Sequence, residues 1–390
     1  MRIVLTGGGT GGHIIPFEPI IEALRTEFLE QRKTWPKHLE PQVLSLTFLG
    51  VADAEIREFF ASYDVPVKNI PSGKLRRYAS VLTLFDILAR LPAGIVMALL
   101  AVWHIMPDAV ISKGGFGSVP VVLAAWFFRI PILLHESDSV PGLANRFLAS
   151  ICTVVAVGFE ETKKSMPRFK NKILVTGTPV RASFGLTNKE AAKRSFGLAA
   201  NELVVLVMGG SQGAQQINEV LLKELPKLVT EAGIIHVTGA DNFDTVTAVA
   251  RDLLAASSGA ANYKAYPYLR EKISEAFAAS DVIVSRAGAT TMAEIARVRA
   301  PSLLIPLASA AGNHQRKNAQ IFERAGAARV LEASNLTANL FAHSLRELMY
   351  DKQVRQVLIT NLAAFDRPDA AMMIGNTIFK MASGYAIDQR

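Results

Sequence analysis

Two glycine-rich turns, one in each half of the chain, constrain the fold more than any other feature of the sequence. The first, Gly7–His13, follows the strand-like run Arg2–Thr6, and the second, Gly209–Gly213, follows the strand-like run Leu203–Met208. A helix-like segment comes after each turn, and glycines in such a turn let the backbone approach a phosphate at the helix N-terminus. The pair predicts two phosphate-binding α/β domains that face each other across a cleft.

The rest of the chain alternates short apolar strands with helix-like stretches, which is typical of parallel sheets covered by helices on both faces. A chain of 390 residues suits two domains better than one core. We predict one domain over residues 1–180, a second over 181–363, and C-terminal helices over 364–390 that pack back on the first domain. The further predicted strands are Leu46–Leu49, Ala109–Ser112, Ile132–His135, Val154–Val157, Ile173–Thr176, Ile234–Thr238, Val282–Ser285, Ser302–Ile305 and Ala328–Val330.

Composition narrows the class of protein. Half of the residues are apolar and the formal net charge is +8, which favours anionic partners such as nucleotides and phospholipid headgroups. Basic residues are scattered rather than interleaved with aromatic side chains, which counts against nucleic acid as a partner. The single cysteine excludes an internal disulfide framework and fits a reducing compartment. The uncharged stretch Leu91–Ile105 falls short of the ~20 residues that span a bilayer, so we expect no transmembrane helix.

The first turn also matches the glycine pattern of dinucleotide-binding proteins. That reading requires an acidic residue about 20 positions later, but the segment there is Gln31–Lys33 and the nearest suitable acid is Asp53. His13 is more informative, because a helix N-terminus disfavours the imidazolium form. A neutral imidazole at this place can accept a proton from a sugar hydroxyl or bind a phosphate. The alternative is a histidine that merely caps the loop.

A third glycine turn, Ser112–Ser118, follows another predicted strand. Within it, Lys113 either adds positive charge to a phosphate site or is a solvated loop lysine. The next strand ends in His135 and Glu136, followed by Asp138, a cluster that suits metal binding or acid–base chemistry. Successive side chains of a strand point to opposite faces, so hydrogen bonding to a polyhydroxylated substrate is favoured over a metal site.

Taken together, the motifs resemble glycosyltransferase family 28, the MurG-type N-acetylglucosaminyltransferases of peptidoglycan synthesis. The resemblance runs from Met1 to about Leu362. It implies a GT-B fold, which consists of two facing Rossmann-like domains with parallel sheets and an interdomain cleft. The segments that carry it, in the family's order, are Gly7–His13, Ser112–Ser118, His135–Asn145, Gly177–Arg181, Gly209–Gly213, Ser285–Thr290 with Glu294, and His314–Ala319.

The resemblance also implies a reaction. N-acetylglucosamine would pass with inversion from UDP-N-acetylglucosamine (UDP-GlcNAc) to the 4-hydroxyl of undecaprenyl-pyrophosphate-linked N-acetylmuramoyl-pentapeptide (lipid I), giving lipid II. No cofactor would be required, no metal ligands are assigned, and a divalent cation would be at most non-essential. Two other classes stay open: a different GT-B glycolipid synthase or UDP-sugar epimerase, and a non-enzymatic anion-binding protein.

The resemblance assigns site residues by position. The catalytic base, or a group that positions the acceptor, would be His13, with Glu136 as the alternative. Two positions depart from the family pattern, because Asp138 replaces an asparagine and Phe116 replaces an aromatic residue that often carries a hydroxyl. The acceptor diphosphate would contact Gly9, Thr10, Gly114, Gly115 and Phe116. The donor would contact Thr10, Gly11, Gly12, Asp138, Asn145, Arg181, Ser211, Leu269, Ala289, Thr290, Glu294 and Gln315.

An apolar run flanked by cations precedes the third turn. This pattern predicts interfacial binding to anionic lipid, and the alternative is a helix buried in the first domain. A lipid-linked acceptor implies peripheral association with the cytoplasmic face of the bacterial cell membrane, a part in cell-wall biogenesis, cell shape and division, and contacts with other proteins of those processes. The predicted membrane residues are Leu75, Arg76, Arg77, Leu82, Phe85 and Trp126.

Overall fold

The computed structural model describes residues 1–8, 11–33, 43–73, 89–210, 213–307 and 313–384. The chain divides into two compact units, one of residues 1–179 with 368–390 and the other of residues 180–367. Each unit is built on its own sheet, in which all the strand pairs are parallel.

The described residues of the first unit form a seven-stranded sheet in the order β3-β2-β1-β4-β5-β6-β7. Its buried central strands lie where the apolar runs predict them, but β3 was not predicted. It is a three-residue edge strand whose side chains are largely exposed, so it carries no apolar signal. The strands are β1 (Arg2–Thr6), β2 (Ser45–Gly50), β3 (Val67–Asn69), β4 (Ala109–Ser112), β5 (Ile132–Glu136), β6 (Val154–Val157) and β7 (Ile173–Val175).

The second unit has a six-stranded sheet in the order β10-β9-β8-β11-β12-β13, again among the residues described. The missed strand is once more at an edge: β10 pairs only with β9 and has no fully buried side chain. The strands are β8 (Val204–Met208), β9 (Gly233–Val237), β10 (Tyr263–Tyr266), β11 (Val282–Ser285), β12 (Ser302–Leu304) and β13 (Arg329–Val330).

Helices cover the sheets, and the last of them returns to the first unit. In that unit Ile374, Ile378 and Phe379 of α16 join Phe17 and Phe28 of α2 in one buried cluster. Burying each such side chain contributes about 1.5–3 kcal/mol, which fixes the C-terminal helix to the first unit. The helices are α1 (Gly11–Ile14), α2 (Phe17–Arg32), α3 (Ala54–Ala61), α4 (Leu91–Ile105), α5 (Val119–Phe127), α6 (Leu143–Leu148), α7 (Thr162–Ser165), α8 (Lys189–Ser195), α9 (Gln215–Leu228), α10 (Phe243–Leu254), α11 (Ile273–Ala279), α12 (Ala289–Val298), α13 (His314–Arg324), α14 (Ala338–Tyr350), α15 (Lys352–Leu362) and α16 (Ala370–Ala382).

Both sheets change direction of winding at one place, between β1 and β4 in the first unit and between β8 and β11 in the second. The paired strands end level with each other, since Thr6 is opposite Ser112 and Met208 is opposite Ser285. The loops that follow therefore leave each sheet side by side. Ligands of doubly wound sheets bind at such switch points.

Among the described helices, none has the length and apolar character that crossing a lipid bilayer requires.

Candidate active site

The glycine turns after β1 and β4 meet at the carboxyl edge of the first sheet. A methyl group on Gly117 would lie 3.1 Å from the Gly7 carbonyl oxygen, so these backbones approach as closely as glycine allows. Gly114 and Gly115 adopt positive φ angles of 73° and 78°, which side chains rarely tolerate. Two of the predicted acceptor contacts, Gly9 and Thr10, lie outside the described residues.

His13 lies in the single-turn helix α1 and contacts the loop after β4. Its Nδ1 lies 3.0 Å from the Lys113 carbonyl oxygen. A carbonyl only accepts hydrogen bonds, so Nδ1 carries a proton, and in the neutral form of this ring Nε2 is the acceptor nitrogen. Nε2 points toward Gly115, where a methyl group would lie 3.4 Å from it. This arrangement holds the loop and also presents a proton-accepting nitrogen to it.

Glu136, the alternative base, is enclosed by donors. It ends β5, is 5% exposed, and accepts hydrogen bonds from the backbone N–H groups of Asp138 (2.9 Å) and Gly142 (3.3 Å) and from Nδ2 of Asn145 (2.7 Å). Burial raises the pKa of Glu136, and the negative charge of Asp138 raises it further. Both carboxylate oxygens of Glu136 thus accept hydrogen bonds from groups of the protein itself.

Asn145 connects Glu136 to the glycine loop. Its Nδ2 donates to Glu136 and its Oδ1 accepts from the backbone N–H of Gly115 at 2.9 Å. A methyl group on Gly114 would lie 2.1 Å from that Oδ1, so only glycine fits there. Both ends of the Asn145 carboxamide thus bind protein atoms, and Asn145 stabilises the loop. Its contact with the donor stays a prediction.

Lys113 is not the solvated loop lysine that the sequence left open. Its side chain is 1% exposed, and Nζ donates to Ser137 Oγ at 2.8 Å and contacts His135 Nδ1. Burial lowers the pKa of Lys113 to about 7, although the charges of Glu136 and Asp138 oppose the shift. No signal in the sequence predicted this contact, because it depends on the register of β4 against β5, which pairs Ser112 with Leu134 and so brings the residues that follow them together.

Two further predicted contacts of the first unit, Asp138 and Phe116, lie partly inside the protein. Phe116 uses its carbonyl oxygen to accept from Ser72 Oγ at 2.9 Å. Gly11 and Gly12 begin α1, and among the described residues outside that helix no atom lies within 4 Å of a methyl group placed on Gly12.

In the second unit, the turns after β8 and β11 lie next to each other at the sheet edge. A methyl group on Gly209 would lie 2.2 Å from the Ala214 backbone nitrogen, whereas Gly288, at φ −72°, has open space at that position. Helix α12 starts at Ala289, which is buried, followed by the partly buried Thr290. Its first N–H groups and the positive end of its dipole are suited to a diphosphate. Ser211 lies outside the described residues.

The side chains around α12 are tied to the neighbouring loops. Glu294 is 6% exposed on this helix. Gln315 at the start of α13 accepts the Leu307 backbone N–H at 2.9 Å through its Oε1, so its NH₂ group is the part suited to a sugar oxygen. Asn318, fully buried, donates to the Ala287 carbonyl oxygen at 3.3 Å and holds the turn that precedes α12.

Two arginines lie in this half of the candidate site. Arg181 donates from Nη1 to the Arg270 carbonyl oxygen at 3.3 Å, next to Leu269, whose side chain is buried and 6% exposed. Arg286 lies within the segment Ser285–Thr290 and has no predicted role. It follows β11 directly, is 8% exposed, and donates from Nη1 to the Ile305 carbonyl oxygen at 3.2 Å. The signal that the sequence does carry is an arginine directly after the apolar run Val282–Ser285.

Comparison with known proteins matches both units of the chain to one family. Residues 3–157 match the model of the glycosyltransferase family 28 N-terminal domain, and residues 204–373 match the model of the family 28 C-terminal domain. A protein of Treponema denticola named UDP-N-acetylglucosamine–N-acetylmuramyl-(pentapeptide) pyrophosphoryl-undecaprenol N-acetylglucosamine transferase is 34% identical over 358 residues, which is 90% of this chain and 89% of the relative.

Solved structures agree on the architecture. MurG of Acinetobacter baumannii is 24% identical with a TM-score of 0.69, covering 97% of this chain and 99% of its own. A UDP-GlcNAc 2-epimerase of Neisseria meningitidis gives 0.67 at 15% identity, with 97% and 100% covered. The predicted fold class, GT-B with two Rossmann-like domains and parallel sheets, is confirmed. Fold likeness at these identities does not separate a transferase from an epimerase.

Proposed function

Because the chain belongs to glycosyltransferase family 28, we propose that it transfers N-acetylglucosamine from UDP-GlcNAc to undecaprenyl-pyrophosphate-linked N-acetylmuramoyl-pentapeptide, forming lipid II. The observation that carries the proposal is the 34% identity, over nine-tenths of the chain, to a relative named for this transfer. In this proposal the second unit holds the donor and the first unit holds the acceptor.

The donor half of the proposal rests on the edge of the second sheet. The N-terminus of α12 offers N–H groups to the diphosphate, and Arg181 adds a planar pair of donors that suits phosphate oxygens. In this proposal Glu294, which is buried about one turn into the same helix, accepts hydrogen bonds from the two hydroxyls of the ribose. The departing UDP is then stabilised by fixed dipoles and positive charge, without a required cofactor and with any divalent cation non-essential.

The acceptor half rests on His13. In an inverting transfer, the acceptor 4-hydroxyl oxygen bonds to C1 of the sugar while the bond from C1 to the UDP oxygen breaks. The electron pair leaves with UDP, and the hydroxyl proton passes to Nε2 of His13. The Lys113 carbonyl, which accepts from Nδ1, keeps that nitrogen protonated and stabilises the imidazolium that forms.

The transfer assay uses UDP-GlcNAc labelled in the sugar and a short-chain lipid I analogue in detergent. We expect a labelled disaccharide-pentapeptide product that forms only when both substrates are present. Epimerised donor, or labelled product formed without the lipid I analogue, would contradict the proposal and favour the epimerase or another glycolipid synthase. Absence of saturable UDP binding would favour a non-enzymatic anion-binding protein instead.

We further propose that the first unit binds an anionic membrane surface from the cytoplasmic side. Of the predicted membrane residues, Trp126 is 53% exposed, whereas Leu75, Arg76, Arg77, Leu82 and Phe85 lie outside the described residues. The neighbouring helices α4 and α5 present further exposed apolar side chains, and the exposed Arg90 and Arg129 flank them. We call the exposed apolar side chains of these two helices the apolar patch. They are Val96, Met97, Leu100, Trp103, Trp126 and Phe127. Contacts with other cell-wall and division proteins stay an expectation of the family.

Removing apolar side chains from the patch should weaken membrane binding. The double variant Leu100→Glu with Trp103→Glu is expected to reduce binding to phosphatidylglycerol vesicles at least tenfold, because each buried side chain contributes about 1.5–3 kcal/mol. Vesicle cosedimentation measures this. A matched control is Val249→Glu with Leu253→Glu, on exposed apolar residues of the second unit. Equal loss in both pairs, or none in the first, would show that the patch does not bind lipid.

A further inference from the structure

The side chain and both backbone polar groups of Lys113 make hydrogen bonds to separate parts of the first unit. Through its side chain Lys113 contacts His135 near the end of β5 and Ser137 in the loop that follows. Through its carbonyl oxygen it accepts the Nδ1–H of His13 at 3.0 Å. Its backbone N–H donates to the Thr6 carbonyl at 2.8 Å, which fixes the other side of the same peptide segment to β1.

The hydrogen-bond pattern sets the direction of the Lys113 contact. His135 Nε2 lies 3.0 Å from the Gly177 carbonyl oxygen, which only accepts, so Nε2 carries the proton. Nδ1 of His135 is then the acceptor, and Lys113 Nζ donates to it. Burial and the nearby positive charge of Lys113 hold the pKa of His135 well below its usual range, so this ring stays neutral. His135 is thus a fixed anchor for the lysine.

We propose that Lys113 is a positioning residue for His13: by anchoring its side chain to His135 and Ser137, it fixes the carbonyl that keeps the His13 proton on Nδ1 and makes Nε2 the acceptor nitrogen. The role in transfer rests on the proposed function, but the tautomer of His13 does not. The two residues after Lys113 are glycines at positive φ, so the anchored lysine side chain adds to the hold that the backbone bonds of Lys113 to Thr6 and of Gly115 to Asn145 supply.

The test measures the tautomer directly. Long-range ¹H–¹⁵N spectra of histidine-labelled protein distinguish Nδ1–H from Nε2–H rings, and His13→Gln and His135→Gln variants assign the two signals. In the wild type we expect Nδ1–H for His13 and Nε2–H for His135. In Lys113→Met we expect His13 to lose its Nδ1–H preference, while His135 keeps Nε2–H because the Gly177 carbonyl remains.

A second buried lysine supplies the control. Lys193 is 5% exposed and donates to Asp281 at 2.8 Å and to the Glu202 carbonyl. Lys193→Met removes a comparable buried amine from the other unit and should leave the His13 signal unchanged. If Lys113→Met does not fold, Ser137→Ala removes one anchor with less disturbance and should shift the His13 tautomer in the same direction by a smaller amount.

The kinetic readout separates this proposal from the proposed function. If both hold, Lys113→Met lowers kcat for transfer at least about tenfold, because a base in the wrong tautomer cannot accept the proton, and changes the KM for UDP-GlcNAc much less. A shifted tautomer in a protein that transfers no sugar would retain Lys113 as a positioning residue and reject the function. An unchanged His13 tautomer in a folded Lys113→Met or Ser137→Ala variant would overturn the positioning role.

Discussion

Replacing His13 with alanine is expected to lower kcat for sugar transfer by about 10²- to 10⁴-fold, the usual contribution of a positioned general base. The KM for UDP-GlcNAc should change much less, since the bulk of the proposed donor contacts are made by the second unit. Steady-state kinetics with the lipid I analogue measure both quantities. His343→Ala, at an exposed histidine of the second unit, is the matched control and should keep wild-type kinetics.

A second substitution separates the two roles that remain for His13. In His13→Asn, the side-chain NH₂ can replace Nδ1 as the donor to the Lys113 carbonyl, but no basic nitrogen remains. If His13 accepts the proton, the asparagine variant loses as much kcat as the alanine variant. Full turnover of His13→Asn would mean that the histidine only holds the loop, and Glu136 would return as the candidate base.

Replacing Glu294 with alanine is expected to weaken UDP binding by about 100-fold or more. Two hydrogen bonds to a carboxylate are lost, each contributing about 1.5–3 kcal/mol, and 1.4 kcal/mol corresponds to a factor of ten. Titration calorimetry with UDP measures the loss. Glu224→Ala is the matched control, because Glu224 is also a buried helical glutamate of this unit, 7% exposed against 6% for Glu294.

Changing the ligand provides an independent check on the proposed contact between Glu294 and the ribose of UDP. The wild type should bind UDP more tightly than 2′-deoxy-UDP, and Glu294→Ala should discriminate less between them, since the carboxylate that reads the hydroxyl is gone. Discrimination that survives the substitution would place the ribose elsewhere. A loss of thermal stability that matches in Glu294→Ala and Glu224→Ala, with equal loss of UDP binding, would assign Glu294 to the core instead of the donor site.

Much of the fold could be predicted because its signal is local. The buried central strands are continuous apolar runs, and each glycine turn lies where a strand ends, as β1 and β8 demonstrate. The missed strands β3 and β10 have the opposite character. They are short strands at sheet edges, and none of their side chains is fully buried. Edge strands of that kind leave no apolar pattern for a sequence to reveal.

The candidate site, like the fold, was predictable only in part. The residue types and their order along the chain predicted which loops carry chemistry, since the carboxyl ends of parallel strands collect ligands. The partners within those loops were not predictable. Asn145 binds Gly115, thirty positions earlier, and His13 binds the carbonyl of Lys113, one hundred positions later.

The sequence by itself determined the α/β class, the two-domain plan and the loops at which phosphates are expected, because glycine turns and apolar periodicity act over a few residues. Only the tertiary structure decided what Lys113 does. Its charge suggested solvent or a phosphate, but strand order and register bring it opposite His135 and enclose it. Burial and hydrogen-bond direction depend on what the rest of the chain places around a residue, and that is decided when the sheet assembles.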